Sequence, residues 1–172
     1  MENFQPTQRY WYVLYTRPRF EKKVDSILKQ KGVHSFLPLC NVVRHWSNGK
    51  KLIQEPLFHS YVFVHVNLKE QDDALKTYGV TRYVTFNDKP ACIPEEQIAS
   101  IFQILKFGYV PERFAYLEIG DKIEIVSGPL RGLTGFYVEE RGSGKLVISL
   151  DFIRQSFSVI VDRRQIRPIY VS

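Results

Sequence analysis

Arg17 and Arg19 flank Pro18 where an aromatic strand-like run gives way to a helix pattern, and Arg44, Lys50 and Lys51 gather around a Ser47-Asn48-Gly49 turn. A guanidinium fork clamps phosphate or stacks on an unpaired base, and an ammonium supplies point charge. Cations near a helix N-terminus gain nothing from the helix dipole, so Arg17 and Arg19 suit binding better than local stability. Residues for bond-breaking chemistry are not arranged for it. Cys40…His45 and His59…His65 stop short of a ligand set, so no metal is expected. Glu139-Glu140 are adjacent and do not make an acid/base pair. Gly128-Pro129-Leu130-Arg131-Gly132 lacks the Lys-Ser/Thr of a phosphate loop, and no dinucleotide fingerprint is present. The chain reads as a binding protein, not an enzyme, with no cofactor.

Charge is unevenly placed. The formal net charge is +6, yet residues 1–51 hold ten Lys or Arg against three acids, so positive charge belongs to the N-terminal part. A basic stripe there can follow a phosphate backbone. Aromatic residues make up 14% of the chain, with twelve Phe and ten Tyr, which fits small cores filled by large rings or an aromatic docking surface. The first residues form neither a signal peptide nor a spanning stretch, and two cysteines do not make a secreted scaffold. A cytoplasmic monomer with no membrane partner is the expectation.

The elements that must position these groups follow from periodicity. Residues 10–16 read as a first strand, and 19–32 as a helix with Phe20, Val24, Ile27 and Leu28 on one stripe and Gly32 as its stop. A second strand at 33–38 leads into a basic hairpin whose Asn48-Gly49 tip signals a primed turn. Residues 60–66 form a central strand with Tyr61 on one face and Phe63 assigned to the helix-covered core. A short helix at 70–77, a strand at 80–86 and a helix opened by Pro94-Glu95-Glu96 follow. The order predicts an α+β chain. Its first part, residues 8–106, is a ferredoxin-like split βαβ domain with an inserted β-hairpin. Residues 107–118 read as an aromatic linker. Residues 119–170 hold five short strands with hairpin-length connections, the pattern of a small five-stranded barrel.

Several stretches carry a resemblance to a known family. They are Trp11-Tyr12-Val13, the run Glu55-Pro56-Leu57-Phe58-His59-Ser60-Tyr61-Val62-Phe63-Val64, Gly79-Val80 leading to Tyr83-Val84, Ile93-Pro94, and Gly128-Pro129-Leu130-Arg131-Gly132. In this order they resemble the NusG/RfaH-like transcription antitermination family, a NusG N-terminal domain followed by an SH3-like (KOW) β-barrel. The N-terminal half is nearer to the specialised RfaH-type paralogues, including those that control surface-polysaccharide operons in Bacteroidota. One departure is the loop Phe58-His59-Ser60-Tyr61, where the family carries Pro and then Gly or Asn before the Tyr.

The resemblance implies a non-catalytic elongation and antitermination factor that binds the clamp helices of RNA polymerase and reduces pausing or termination on specific operons. Carried over by position, the polymerase-facing patch is Tyr15, Phe58, Tyr61 and Tyr83. Arg17 and Arg19 match the family's basic groups for the non-template DNA strand, and Arg44, Lys50 and Lys51 on the hairpin are a second candidate for DNA. The base-reading helix of RfaH-like members is basic, whereas Gln71-Asp72-Asp73-Ala74-Leu75-Lys76 carries two aspartates that repel phosphate. For the barrel the resemblance implies a small-subunit ribosomal protein or the termination factor Rho, with Phe152, Ile153 and Phe157 as the apolar contact. The alternative is an RNA- or ribosome-binding module that does not control polymerase.

Overall fold

Tyr10–Thr16, a run of aromatic and branched residues with no breaker inside it, forms strand β1. The chain then turns through Pro18 into helix α1 (Glu21–Gln30), whose Val24 and Leu28 are fully buried. Gly32 takes the left-handed conformation (φ 77°) that ends a helix, its N–H donating to the Lys29 carbonyl at 3.0 Å. Strand β2 (His34–Phe36) is followed by the long hairpin β3 (Leu39–Trp46) and β4 (Gly49–Pro56), then β5 (Tyr61–Val66). Helix α2 (Glu70–Leu75), strand β6 (Val80–Tyr83), the small hairpin β7 (Thr85–Phe86) and β8 (Lys89–Pro90), strand β9 (Cys92–Ile93) and helix α3 (Glu95–Lys106) come next. The computed structural model describes residues 7–114, 121–140, 143–150 and 153–169.

The chain divides into two compact units, residues 1–98 and 99–172. In the first, strands lie in the order β2-β5-β1-β6, every pair antiparallel, with β9 also pairing β1. Tyr12, Leu14, Val62, Val64 and Val66 share one core with Val24 and Leu28 of α1 and with Tyr83. Alternation therefore sends Trp11, Val13 and Tyr15, with Tyr61, Phe63 and His65, to the opposite face. This corrects the assignment of Phe63 to the helix-covered core: residues 61 and 63 are two apart and share a face. Phe63 is fully buried there between Phe58 (5.9 Å) and Phe36 (6.1 Å).

The primed turn also sits elsewhere than expected. In the long hairpin Trp46 pairs Gly49, so Ser47 and Asn48 are the turn residues, and only Gly49 has positive φ (115°). Asn87 and Asp88, between β7 and β8, both have positive φ (50° and 60°), the backbone of a type I′ turn. Asx side chains tolerate that region at low cost.

In the second unit β10 (Glu112–Phe114), β11 (Asp121–Ile125), β12 (Thr134–Glu140), β13 (Ser143–Leu150), β14 (Gln155–Ile160) and β15 (Ile166–Pro168) pair in the order β10-β14-β13-β12-β11-β15. Ile123, Ile125, Leu146, Leu150, Phe157 and Val159 are buried in it. The fold is α+β, but the five-stranded SH3-like barrel expected from the strand spacing is not present. The ladder is open: β10 and β15 end it, and no pairing joins them among the described residues. The reason is competition for an edge. The outer side of β14, which closure would have used, is taken by β10, and β10 comes from the stretch expected to be a linker.

Candidate functional site

Two of the four aromatic residues singled out in the sequence come together. Tyr15 and Tyr61 are register partners on β1 and β5, both half-buried, their rings 5.4 Å apart and nearly perpendicular. Arg82, paired with Tyr15 across β1 and β6, holds its guanidinium 5.0 Å from the Tyr15 ring centroid. Burial raises the Tyr61 phenol above its ordinary value, the Tyr15 phenol adds to this, and Arg82 opposes it. The face is two aromatic rings edged by a cation. Such rings give a large, stiff contact area at low entropy cost.

The loop that delivers Tyr61 is bolted to α1. Ser60 has φ 66°, the left-handed region where Gly or Asn is at ease and Ser is not. It stays there because its N–H donates to the buried Glu21 carboxylate at 2.7 Å and its carbonyl accepts the Thr16 N–H at 2.8 Å.

Phe58 and Tyr83 lie elsewhere. Phe58 is 2% exposed and packs edge-on against Phe63. Tyr83 is 7% exposed on the α1 side of the sheet, edge-on to Tyr12, its hydroxyl donating to the Gln71 carbonyl at 3.0 Å. Burial pushes its phenol well above the usual range. Both residues build the scaffold under the Tyr15–Tyr61 face.

The basic residues fall into two groups. Arg17, Pro18, Arg19 and Phe20 form a tight turn into α1, the Phe20 N–H donating to the Arg17 carbonyl at 3.1 Å, with Arg19 at φ 66°. That is the third position of a type II turn, where Gly is preferred. Arg17 lies over the exposed ring of Tyr78, 5.6 Å from its centroid. Arg19 lines an open cleft of about 600 Å³ with Glu21, Lys22, Arg44, Glu55 and His59. Across that cleft Arg44 is committed to a bidentate pair with Glu55, at 3.0 and 2.7 Å. Lys22 ties α1 to the hairpin by donating to the Gln54 carbonyl at 2.6 Å. Lys50 and Lys51 are exposed near the hairpin tip, Lys51 lying 5.4 Å from the Trp46 ring centroid.

In the second unit Ile153 is 7% exposed and Phe157 fully buried, so both serve the interior of the sheet. Phe152 lies outside the described residues. Among the described residues no group of three or more His, Cys, Asp or Glu could hold a metal. No described helix is long and apolar enough to cross a membrane.

Sequence reasoning missed Arg82 and Tyr78. Arg82 had a signal, since β6 was read as a strand and its alternation opposes Arg82 to buried Tyr83. Tyr78 had none, because it falls between elements.

The family model described as "Transcription termination factor nusG" matches residues 9–102, more than half of the chain. The chain belongs to the NusG family. It is a transcription elongation and antitermination factor of that family, whose members are non-catalytic. It is similar to the transcription termination/antitermination protein NusG of Thermus thermophilus, at 23% identity over 163 residues, covering 81% of this chain and 89% of that protein. The NusG of Borreliella burgdorferi is 25% identical over 173 residues, covering 89% of each. A solved structure, "Domain interaction in Thermotoga maritima NusG", shares the fold with a TM-score of 0.56 at 21% identity, covering 95% of this chain and 98% of that one.

Proposed function

We propose that this NusG-family factor docks on the clamp helices of transcribing RNA polymerase through the Tyr15–Tyr61 face and thereby lowers pausing and termination. The observation that carries the reading is the pairing itself: two half-exposed rings on adjacent strands, in register, with Arg82 at their edge. A clamp-helix ridge that offers apolar side chains beside a carboxylate suits it. Phe58 and Tyr83 contribute by fixing the two strands, and their burial supports an indirect role.

Arg17 and Arg19 face DNA in this reading, as the contact for the non-template strand. Lys50 and Lys51 on the hairpin are a further contact. Arg44 contributes less, because Glu55 already neutralises it. Action on specific operons, such as those for surface polysaccharides, follows if that strand contact discriminates between sequences. The second unit engages a small-subunit ribosomal protein or Rho, through surface other than Ile153 and Phe157, both buried.

The test is binding of the full chain to core polymerase. Tyr15→Ala and Tyr61→Ala should each weaken it by about tenfold or more, as truncation of an interface ring does, while leaving thermal stability within about 1 kcal/mol. Unchanged affinity in both variants refutes the assigned face.

A further inference from the structure

The face of the first sheet turned away from α1 carries a row of three nitrogen heterocycles. His34 on β2 is the register partner of His65 on β5, and His65 is in turn the partner of Trp11 on β1. Residues directly opposite on antiparallel strands share a face, so the two imidazoles stand side by side although they are far apart in the sequence. Their ring centroids are 5.6 Å apart and their planes 77° from parallel. Trp11, 6% exposed, backs both: it is stacked on His65 at 4.9 Å and tilted against His34 at 5.2 Å. His34 is exposed and His65 half-buried, so the pair is reached from solvent. The Arg9 backbone hydrogen-bonds His65, and Glu95, exposed at the start of α3, acts on it through space. Glu70, the other carboxylate nearby, is taken by Arg9.

We propose that His34 and His65 chelate one divalent transition-metal ion of the Zn²⁺ type, with water in the remaining positions. Imidazole nitrogen is a preferred donor for such ions, at about 2.0–2.1 Å. Two imidazoles sharing a tetrahedral ion at that distance have centroids about 5 Å apart. The spacing found is close to this, so a small side-chain rotation closes the chelate. The pair is set before the ion arrives. The β2–β5 register fixes both Cα positions and Trp11 limits ring rotation, which lowers the ordering cost of binding. The outer shell fits as well. A backbone partner on one nitrogen of His65 leaves the other for the ion, and Glu95 offers a carboxylate to a metal-bound water. Mg²⁺ and Ca²⁺, which take oxygen ligands, do not suit this donor set. Two protein ligands leave open positions, so the ion exchanges, unlike one in a closed structural site. The consequence lies in β2, a three-residue strand at the outer end of its sheet that leads into the β3–β4 hairpin. An ion bridging His34 and His65 clips that edge to β5 and steadies the root of the hairpin. The inference needs neither polymerase docking nor DNA contact.

The experiment is isothermal titration calorimetry of the full chain, first stripped with EDTA and dialysed, against zinc chloride at neutral pH. One Zn²⁺ should bind per chain, and magnesium chloride should give no heat of binding. His34→Gln and His65→Gln should each weaken the site by at least the about 10- to 100-fold that loss of an outer partner alone costs. His45→Gln, His59→Gln and the double variant Cys40→Ser/Cys92→Ser should keep it. His34 is exposed, so His34→Gln leaves the fold intact and its effect reports a lost ligand. Zn²⁺ should also raise the urea midpoint of the wild type, because it binds the folded chain, and leave that of His34→Gln unchanged. Absence of saturable Zn²⁺ binding overturns the site. So does binding that keeps full affinity in His34→Gln or His65→Gln, or that disappears when His45, His59 or the cysteines are replaced.

Discussion

Aromatic residues of the first unit differ in how deeply they are buried and in whether a cation lies at the ring. Tyr15 lies under Arg82, Tyr78 under Arg17 and Lys23, and Trp46 under Lys51. Phe58, Phe63, Tyr12 and Tyr83 instead meet other rings in buried surroundings. The first group keeps part of its surface in water and carries charge at its edge; the second fills the interior. Residues of one kind, three positions apart in Phe58 and Tyr61, thus serve opposite purposes. A ring with a cation at its rim is prepared to exchange that neighbour for a partner. A ring buried among other rings, such as Phe58 or Phe63, has no such freedom without loss of the fold.

The largest effect that sharpens this division is Phe58→Ala. Removing a fully buried ring should cost about 3–5 kcal/mol of stability, seen as a lower urea midpoint, and any loss of polymerase binding should recover under conditions that restore folding. An exposed-ring cost, below about 1 kcal/mol, would break the division at its strongest point.

The cations divide in the same way, and the next prediction uses that. Arg44 is held by Glu55, whereas Arg17 and Lys23 lie over a ring that does not neutralise them. Glu55→Gln should release Arg44 and tighten single-stranded DNA binding. The slope of log affinity against log salt should steepen by about 0.7, one added phosphate contact. Lys23→Gln should flatten it by a similar amount. Equal slopes in all three proteins would show that neither group touches phosphate.

The smallest effect is in pH. Trp11 stacks on His65 at 4.9 Å, with His34, Arg9, Glu70 and Glu95 around the imidazole. Burial, with His34 beside it, holds His65 below the ordinary 6.5. The folded chain therefore binds fewer protons there than the unfolded chain, so this group destabilises as pH falls below about 6.5 and has no effect above it. Glu70, held at about 2 chiefly by the hydrogen bond from Arg9, acts lower: its contribution is present above 4.5 and is lost as pH falls from there toward 2. Urea unfolding from pH 7.5 to 5.5 should show a loss that His65→Gln reduces. An identical loss in that variant would assign the effect to other groups.

Much of the fold was legible because local pattern decides it. The run at 10–16, the stripe Val24 and Leu28 with Gly32 behind it, and the strand at 61–66 follow from residue types alone. Helix α2 was seen faintly, since what holds it is reciprocal hydrogen bonding: Asn67 Oδ1 accepts the Glu70 N–H and the Glu70 carboxylate accepts the Asn67 N–H, each at 3.0 Å. Long-range choices were not legible. Where both faces of a sheet carry apolar groups, alternation separates Tyr61 from Val62 but does not say which face α1 covers. Spacing of five strands gave no hint that Glu112–Phe114 would occupy the edge of β14 and leave the sheet open. At the candidate site, the family resemblance placed Tyr15 and Tyr61 together with Phe58 and Tyr83; only burial separates them.

The central claim is docking on a transcribing polymerase through the Tyr15–Tyr61 face, and pause lifetime on a defined template measures it most directly. Added to purified polymerase, the native chain should shorten pauses and Tyr61→Ala should not. Pause lifetimes unchanged by the native chain, on templates that include its own operon leader, would contradict it.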